Sequence, residues 1–435
     1  MASPWPLPRS TTAVLTCALA WFAAAASGCS KPTSENIQLW KTTQKGPEKL
    51  RDALGDRSVS PSLRAEAAAA MVDSGHAEEA EGVIGQLSPD ERFAIIRAAV
   101  PLDQAAMHDP SPDKALAFRD ALFSLRQFAA AEEKEQIDVI LLPSIEADLK
   151  SGHLRNGRHS IEKMLSAIGP GGAAMLANVL GEPTPAYPLA ADLLGRVGDE
   201  GARNKGATAL VARAKKEKPI SVAMWKAIGT VGGPVALKFL EEKSQDPNRE
   251  DAVSAVRAMR ERRDASVLPL ALKVAGDPKA DKLVRDEMFG VVESIGGIEA
   301  RQGLLGIISS DKEEIVRYRA FEVVLAISKA DGIIPGLEAF PATAAYKKVD
   351  VDDLLVKLIE KLGAAARPAL VKALDSRSSL ARMTAVMSLE QVGRAPDAPA
   401  LDKLAKDSTA LKGFPSGETI GKAAARAAET VRKKT

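Results

Sequence analysis

Cysteine is nearly absent from this chain. Only Cys17 and Cys29 occur in 435 residues, and both lie near the N-terminus. A disulfide framework or a cysteine-built zinc cluster is therefore excluded from the body of the protein. Histidine is equally scarce, with His76, His108, His153 and His159 the full complement. None forms the His-x-x-x-His pair that sets two imidazoles on one helix face, so all four read as surface residues and no metal site is indicated. Aromatic residues are 4% of the chain. Ala, Leu and Val must then carry the core, which suits thin helix-on-helix packing better than one large centre. Charge of one sign is lacking too. With 59 basic against 57 acidic residues, there is no field to gather nucleic acid or an acidic surface.

Catalytic signatures are also missing. No Gly-x-Ser-x-Gly elbow occurs. The glycine-rich turn at Gly169-Pro170-Gly171-Gly172 has neither the preceding strand nor the following Lys-Ser/Thr of a phosphate loop. Glu132-Glu133 and Glu313-Glu314 read as charged helical faces, not as a catalytic dyad. No catalytic residue, cofactor or small-molecule substrate is indicated, and the chain is expected not to be an enzyme.

What is present begins with an address. Arg9 precedes an apolar run of about 16 residues, Thr11 to Ala26, too short to span a bilayer comfortably. Its length, positive flank and small-residue exit are those of a signal peptide. The exit, Ala26-Ser27-Gly28-Cys29, resembles the lipobox of bacterial lipoproteins and departs from it at Ala26, where leucine is usual. The resemblance implies lipidation of Cys29, cleavage just before it and acylation of the new N-terminus. Ser30 stands where an Asp retains many lipoproteins at the inner membrane, which implies the outer membrane, facing the periplasm. Cleavage after Ala25 and an uncleaved anchor are the alternatives. Loss of 1–28 removes Arg9 and no acid, leaving 58 basic residues against 57 acidic. Residues 29–45 read as a polar tether, in which Trp40 sits at headgroup level or, as favoured, packs against the first helix.

The rest of the chain is a repeat. A start position is followed by a small or apolar residue three, seven and ten later, often with Gly at eleven. Arg285, Met288, Val292, Ile295 and Gly296 show it, as do Arg382, Ala385, Leu389, Val392 and Gly393. Arg158, Arg249 and Arg317 open further copies, and Arg64 opens an early one. Tyr187, Ser221, Asp352 and Gly421 replace the Arg. From 158 onward the starts step by 29, 34, 28, 36, 32, 35, 30 and 39 residues. Offsets of three and four put the apolar positions on one helix face, and the closing Gly is expected to be left-handed. A partner helix precedes each copy. Turns at Asp246-Pro247, Asp277-Pro278, Asp311-Lys312 and Asp375-Ser376 supply Asp or Ser to cap the second helix.

This pattern resembles the short bacterial kind of HEAT repeat over roughly 155–434, and locally over 46–75. The resemblance implies an all-α, α-α superhelix of antiparallel helix pairs. It also implies a structural ladder of turn Asp and helix Arg, here Asp246 with Arg249, Asp277 with Arg285, Asp311 with Arg317 and Asp375 with Arg382. Residues 76–155 are less regular, with helices expected over 76–87, 89–102, 112–131 and 132–150, and tetratricopeptide-like pairs fit as well as HEAT-like ones. Breaks are expected over 331–350 and 406–417, where Pro and Gly interrupt the pattern. The organisation is thus a signal at 1–28, a tether at 29–45, N-terminal helical repeats of HEAT or tetratricopeptide type at 46–154 and a HEAT-like solenoid at 155–435.

The sharpest basic cluster is Arg257, Arg260, Arg262 and Arg263. Interleaved Glu261 and Asp264 favour a solvated helix end. Second helices line the concave face in the family, so Arg257 and Arg260 are the candidate protein-binding residues. The expected function is a lipid-anchored envelope scaffold that holds another envelope protein. The alternatives are a structural envelope protein without a stoichiometric partner and an unrecognised hydrolase or lyase.

Overall fold

The computed structural model describes residues 31–152, 154–310, 313–341, 351–411 and 418–434. Cys29 and the signal, His153, Asp311 and the polar run at 346–348 lie outside the described residues. Regular structure among the described residues is helical, apart from one isolated bridge between Ala410 and Thr419.

The repeat positions explain why. The residues three and seven after each start are fully or almost fully buried in every copy: Met288 and Val292, Ala385 and Leu389, Met224 and Ile228, Ala424 and Ala428. The residue at ten is mixed. Met259 and Val231 are buried, whereas Ile295 and Val392 are only half-buried. Side-chain caps open the second helices. Asp281 accepts the N–H of Leu283 at 2.9 Å and of Val284 at 3.3 Å, and Ser221 accepts that of Met224 at 3.2 Å. The caps lie beyond the expected turn residues. Asp246 instead accepts the N–H of Asn248 at 2.9 Å, and Asn248 caps the helix Arg249–Arg262. Ser376 holds the N–H of Ser378 in the same way, at 3.1 Å.

The closing glycines are of two kinds. Gly75, Gly169, Gly232, Gly296 and Gly363 have positive φ, as the helix-ending role requires. Gly198 and Gly393 do not, with φ of −77° and −70°. At these two, a Cβ would stand 2.5 Å from the Leu194 carbonyl oxygen and 2.3 Å from that of Leu389. Crowding, not handedness, requires glycine there.

The chain divides into two compact units, 1–172 and 173–435. The division expected at 154/155 is displaced because the next residues are bonded into the N-terminal unit. Asp120 accepts the N–H of Arg158 at 2.5 Å, and Arg155 reaches Asp148 at 2.9 Å. The tether expected over 29–45 is folded from Ser34 onward. Helix Ser34–Trp40 buries Ile37 and Trp40 against helices Gly46–Gly55 and Pro61–Asp73, so Trp40 is a core residue.

In the N-terminal unit, helix Pro61–Asp73 packs on Gly46–Gly55, Ala77–Gln86 and Pro89–Ala106, and helix Pro112–Arg126 packs on Pro89–Ala106 and Ala131–Ser151. The second unit is two-layered. One layer runs Tyr187–Val197, Val222–Val231, Arg249–Arg262, Lys282–Ile295, Glu314–Ser328, Val351–Glu360, Ser379–Val392 and Ile420–Arg432, each helix packed on the next. The other layer holds the partner helices, among them Leu268–Ala275, Gly297–Ser310, Ile333–Ala339 and Arg367–Ala373. This is the solenoid of helix pairs that the spacing implies. Backbones come close within the first layer: a Cβ on Gly229 would lie 2.2 Å from the Ala258 carbonyl oxygen. Of the break expected over 331–350, residues 333–339 instead form a helix after Lys329 leaves the preceding one with φ 52°, and 342–350 lie outside the described residues.

The arginine ladder is wired differently from the expectation. The guanidinium reaches back to the chain leaving its own first helix and forward to the acid of the next rung. Arg285 Nε donates to the Ala275 carbonyl at 3.3 Å and Nη1 to Glu313 at 3.1 Å. Arg382 donates to the Ser376 carbonyl at 2.8 Å and to Asp407 at 3.0 Å. Arg64 donates to the Leu54 carbonyl at 2.7 Å and lies 3.6 Å from Glu91. Arg249 meets Asp281, at 3.4 Å, in place of Asp246. The turn acids are unavailable because they bond their own turns: Asp246 also holds Lys243 at 2.5 Å, and Asp277 accepts the Lys279 N–H at 2.9 Å.

Burial separates these arginines in energy. Arg64 is 3% exposed and its loss orphans a buried carbonyl. Arg64→Ala should destabilise the N-terminal unit by about 1.5–3 kcal/mol. The Arg249 side chain is 62% exposed, so Arg249→Ala should cost roughly 0–1 kcal/mol. Urea unfolding of both variants checks this, and equal midpoint shifts would contradict it.

Candidate functional site

Charges on the second-helix layer of the 173–435 unit are arranged across rungs. Arg257 donates to Glu287 through Nε at 2.7 Å, and its Nη2 lies 2.6 Å from the same oxygen. Arg260 Nη1 stands 3.7 Å from the other oxygen of Glu287. Further along, Arg319 bridges Asp286 at 3.1 Å and Glu322 at 2.5 Å, and Lys361 reaches Glu322 at 3.4 Å. Arg426 reaches Glu390 at 3.2 Å. Apart from Arg319–Glu322, which lies within one helix, these pairs tie one helix of this layer to the next.

Arg257 and Arg260 are brought together, with side chains 61% and 50% exposed. They share the single carboxylate of Glu287 and line an open, shallow groove with Glu261, Arg263 and Ser294. The rest of the cluster behaves otherwise. Arg262 is not part of a solvated end. It reaches back to donate to the Gly195 carbonyl at 3.0 Å and the Thr230 carbonyl at 3.4 Å. Burial, with the nearby Arg203 guanidinium, pulls its pKa down. Arg263 ends the helix in the left-handed conformation.

A second polar cluster lies inside the N-terminal unit, where the sequence marks no site. Arg119, 2% exposed, donates to Asp148 at 2.7 Å and to the Arg155 carbonyl. His159 Nε2 is 2.8 Å from Ser124 Oγ, and its ring meets Phe123 edge-on at 5.1 Å. The arrangement resembles a serine–histidine pair only in part. His159 Nδ1 faces Lys163 Nζ at 3.4 Å instead of a carboxylate. Asp120 is occupied by the N–H groups of Arg158 and His159. Ser124 is 3% exposed and also takes the Arg158 guanidinium, at 3.1 Å. Burial, then Lys163, lowers the His159 pKa, which favours the neutral ring. The cluster locks the start of helix Ile161–Ile168 to helix Pro112–Arg126.

Glu133, expected on a solvated face, is buried, with Arg97 at 2.8 Å. His76 pairs with Glu79 at 3.0 Å. Among the described residues, no group of three or more His, Cys, Asp or Glu side chains has metal-holding geometry, and no single helix is long and apolar enough to cross a membrane.

No protein-family model matches the chain, and no curated protein matches it by sequence. Among solved structures, it is similar to human deoxyhypusine hydroxylase in complex with glycerol. The identity is 15% and the TM-score 0.23, over 70% of this chain and 100% of the other. A crystal structure of Kap121p is similar at 14% identity and a TM-score of 0.26, over 92% of this chain and 46% of that one. At these TM-scores neither likeness bears on the shape or activity of this chain.

The most perturbed carboxyl belongs to Asp103, in helix Pro89–Ala106. It is 2% exposed and lines a cavity of about 20 Å³ among Ala68, Val72, Ala80 and Ala121. The neighbouring Glu81 is held by Arg158. Burial pushes the Asp103 pKa up to about 8. An unfolded aspartate ionises near pH 4, so between about 4 and 8 the folded state keeps a proton that the unfolded state has lost. Stability from this group is full below pH 4 and falls as pH rises to about 8, by at most ~1.4 kcal/mol per pH unit. Asp103→Asn should flatten that slope. Urea midpoints at pH 5 and pH 8 test it, and an unchanged slope would contradict the assignment.

Proposed function

We propose that this protein is a lipid-anchored envelope scaffold. Acyl chains on Cys29 tether it to the membrane, favouring the periplasmic face of the outer membrane. The second-helix layer holds another envelope protein. The lipobox-like Ala26-Ser27-Gly28-Cys29 and the near absence of other cysteines support the anchor. Support for the scaffold comes foremost from one observation: Arg257 and Arg260 are exposed side by side and share one carboxylate, Glu287. That leaves a surplus guanidinium on a layer that also carries cross-rung ion pairs such as Arg319–Asp286 and Arg426–Glu390. A surplus charge on a rigid scaffold sets partner orientation and encounter rate more than raw affinity. The reading needs no catalytic residue, because a stack of helix pairs is itself an extended binding surface.

Two experiments test the reading. Cys29→Ser should abolish metabolic labelling with palmitate and move the protein from the membrane to the soluble fraction. Persistence of labelling would overturn the anchor. In-cell crosslinking of a C-terminally tagged copy at native expression, with mass spectrometry of the envelope, should return a near-stoichiometric partner. Reversing both charges, Arg257→Glu with Arg260→Glu, should reduce its recovery about tenfold, the equivalent of ~1.4 kcal/mol. Reproducible absence of any partner would favour a purely structural envelope role. Turnover of a small molecule by the purified chain would favour the hydrolase or lyase alternative.

A further inference from the structure

The first helix of the N-terminal unit begins almost at the residue proposed to carry the lipid. Thr33 accepts the N–H of Asn36 at 3.2 Å, and the Asn36 amide donates to the Lys31 carbonyl at 2.9 Å. The hydrogen-bonded fold therefore reaches back to Lys31, two residues after Cys29. Two residues of chain span at most about 7 Å. The headgroup layer on one side of a bilayer is about 5–7 Å thick. Acyl chains on Cys29 would thus hold Lys31, and the folded unit with it, at the level of the headgroups.

Helix Ser34–Trp40 has two faces. Ile37 and Trp40 pack inward on helices Gly46–Gly55 and Pro61–Asp73. Glu35, Gln38 and Leu39, with Thr42 just beyond the helix, follow the three- and four-residue spacing of a single face, and all are exposed. Trp40 is not the group offered to lipid, because it is buried and Lys49 Nζ lies 5.6 Å above its ring. Leu39, 62% exposed, is the apolar residue of the outer face. Exposure alone does not mark a lipid contact: Val139, on helix Ala131–Ser151, is 67% exposed. What sets Leu39 apart is its place near Cys29. The helix carries it only about 7–8 Å along the axis from Ser34.

We infer that the outer face of helix Ser34–Trp40 rests on the lipid headgroups, with Leu39 as its apolar contact. The inference rests on the lipid-anchor reading of Cys29 and makes it specific. The N-terminal unit is clamped to the bilayer surface and does not swing on a tether. A connection this short raises the local concentration of headgroups at the face, so a contact too weak to bind lipid by itself is still made.

The test uses the acylated full chain, reconstituted into vesicles of phosphatidylethanolamine and phosphatidylglycerol, some of whose headgroups carry a nitroxide. Acylation consumes the Cys29 thiol, and the mature chain has no other cysteine. Leu39→Cys and Val139→Cys, both at exposed sites, therefore each supply one free thiol for a fluorophore. Val139 is the control, because its helix packs on Pro89–Ala106 and Pro112–Arg126, not on the helices that seat Ser34–Trp40. The nitroxide should quench the label at Leu39→Cys several-fold more strongly than the label at Val139→Cys. Palmitate labelling and flotation of the same chains with the vesicles report the anchor separately. Equal quenching at the two sites in an acylated, floating protein would overturn the inference and leave the anchor standing. A chain that is neither acylated nor carried by the vesicles would remove both.

Discussion

A helix pair of this size cannot hide its apolar faces by itself, and each rung here is completed only by the next. The most constrained point of that dependence is the guanidinium near the start of the second helix. In Arg285 and Arg382 it bonds a carbonyl where the first helix ends and an acid supplied from the following rung. Arg64 makes the same backward bond in the N-terminal unit. A buried ion pair is a poor source of net stability, because desolvation offsets the attraction. Its value lies in geometry. The acid must arrive at a fixed height above the arginine, so the pair sets the spacing between rungs while the aliphatic positions supply the driving force.

That division of labour explains what can be read from the residues. Offsets of three and four determine which side of a helix is apolar, so the spacing alone identifies Met288, Val292, Ala385 and Leu389 as core. Helix ends are legible where a Gly must be left-handed, as at Gly232 and Gly296. The same rule fails at Gly198 and Gly393, where glycine answers a close carbonyl that no local pattern reveals. The wiring of the arginines is not legible, because a carboxylate's choice between its own turn and a neighbouring rung is decided by distances across the stack. Asp246 closes on Asn248 and Lys243, and so is unavailable to Arg249.

The polar interior of the N-terminal unit is hidden for the same reason. Arg119, Asp120 and Asp148 resemble the charged positions of any surface helix in the sequence. Only the packing of helices Pro112–Arg126 and Ala131–Ser151, and the return of the chain at Arg155 to His159, turns them inward. The candidate site is half legible. Arg257 and Arg260 stand out as a basic cluster, but Arg262, counted with them, is an internal strut.

The mainly neighbour-to-neighbour pattern of contact has a consequence for how the chain reaches its structure. In the 173–435 unit, most ties between rungs join residues about one repeat apart, as in Arg257 with Glu287 and Arg426 with Glu390, although Arg262 spans two repeats to the Gly195 carbonyl. Loops of that length close at low entropic cost, and contacts of short sequence separation form quickly. Each helix pair can therefore settle onto its predecessor as soon as it becomes available, without waiting for the far end of the chain. A chain delivered from its N-terminus would assemble in the order of its delivery, and the stretch exposed at any moment would be about one rung long.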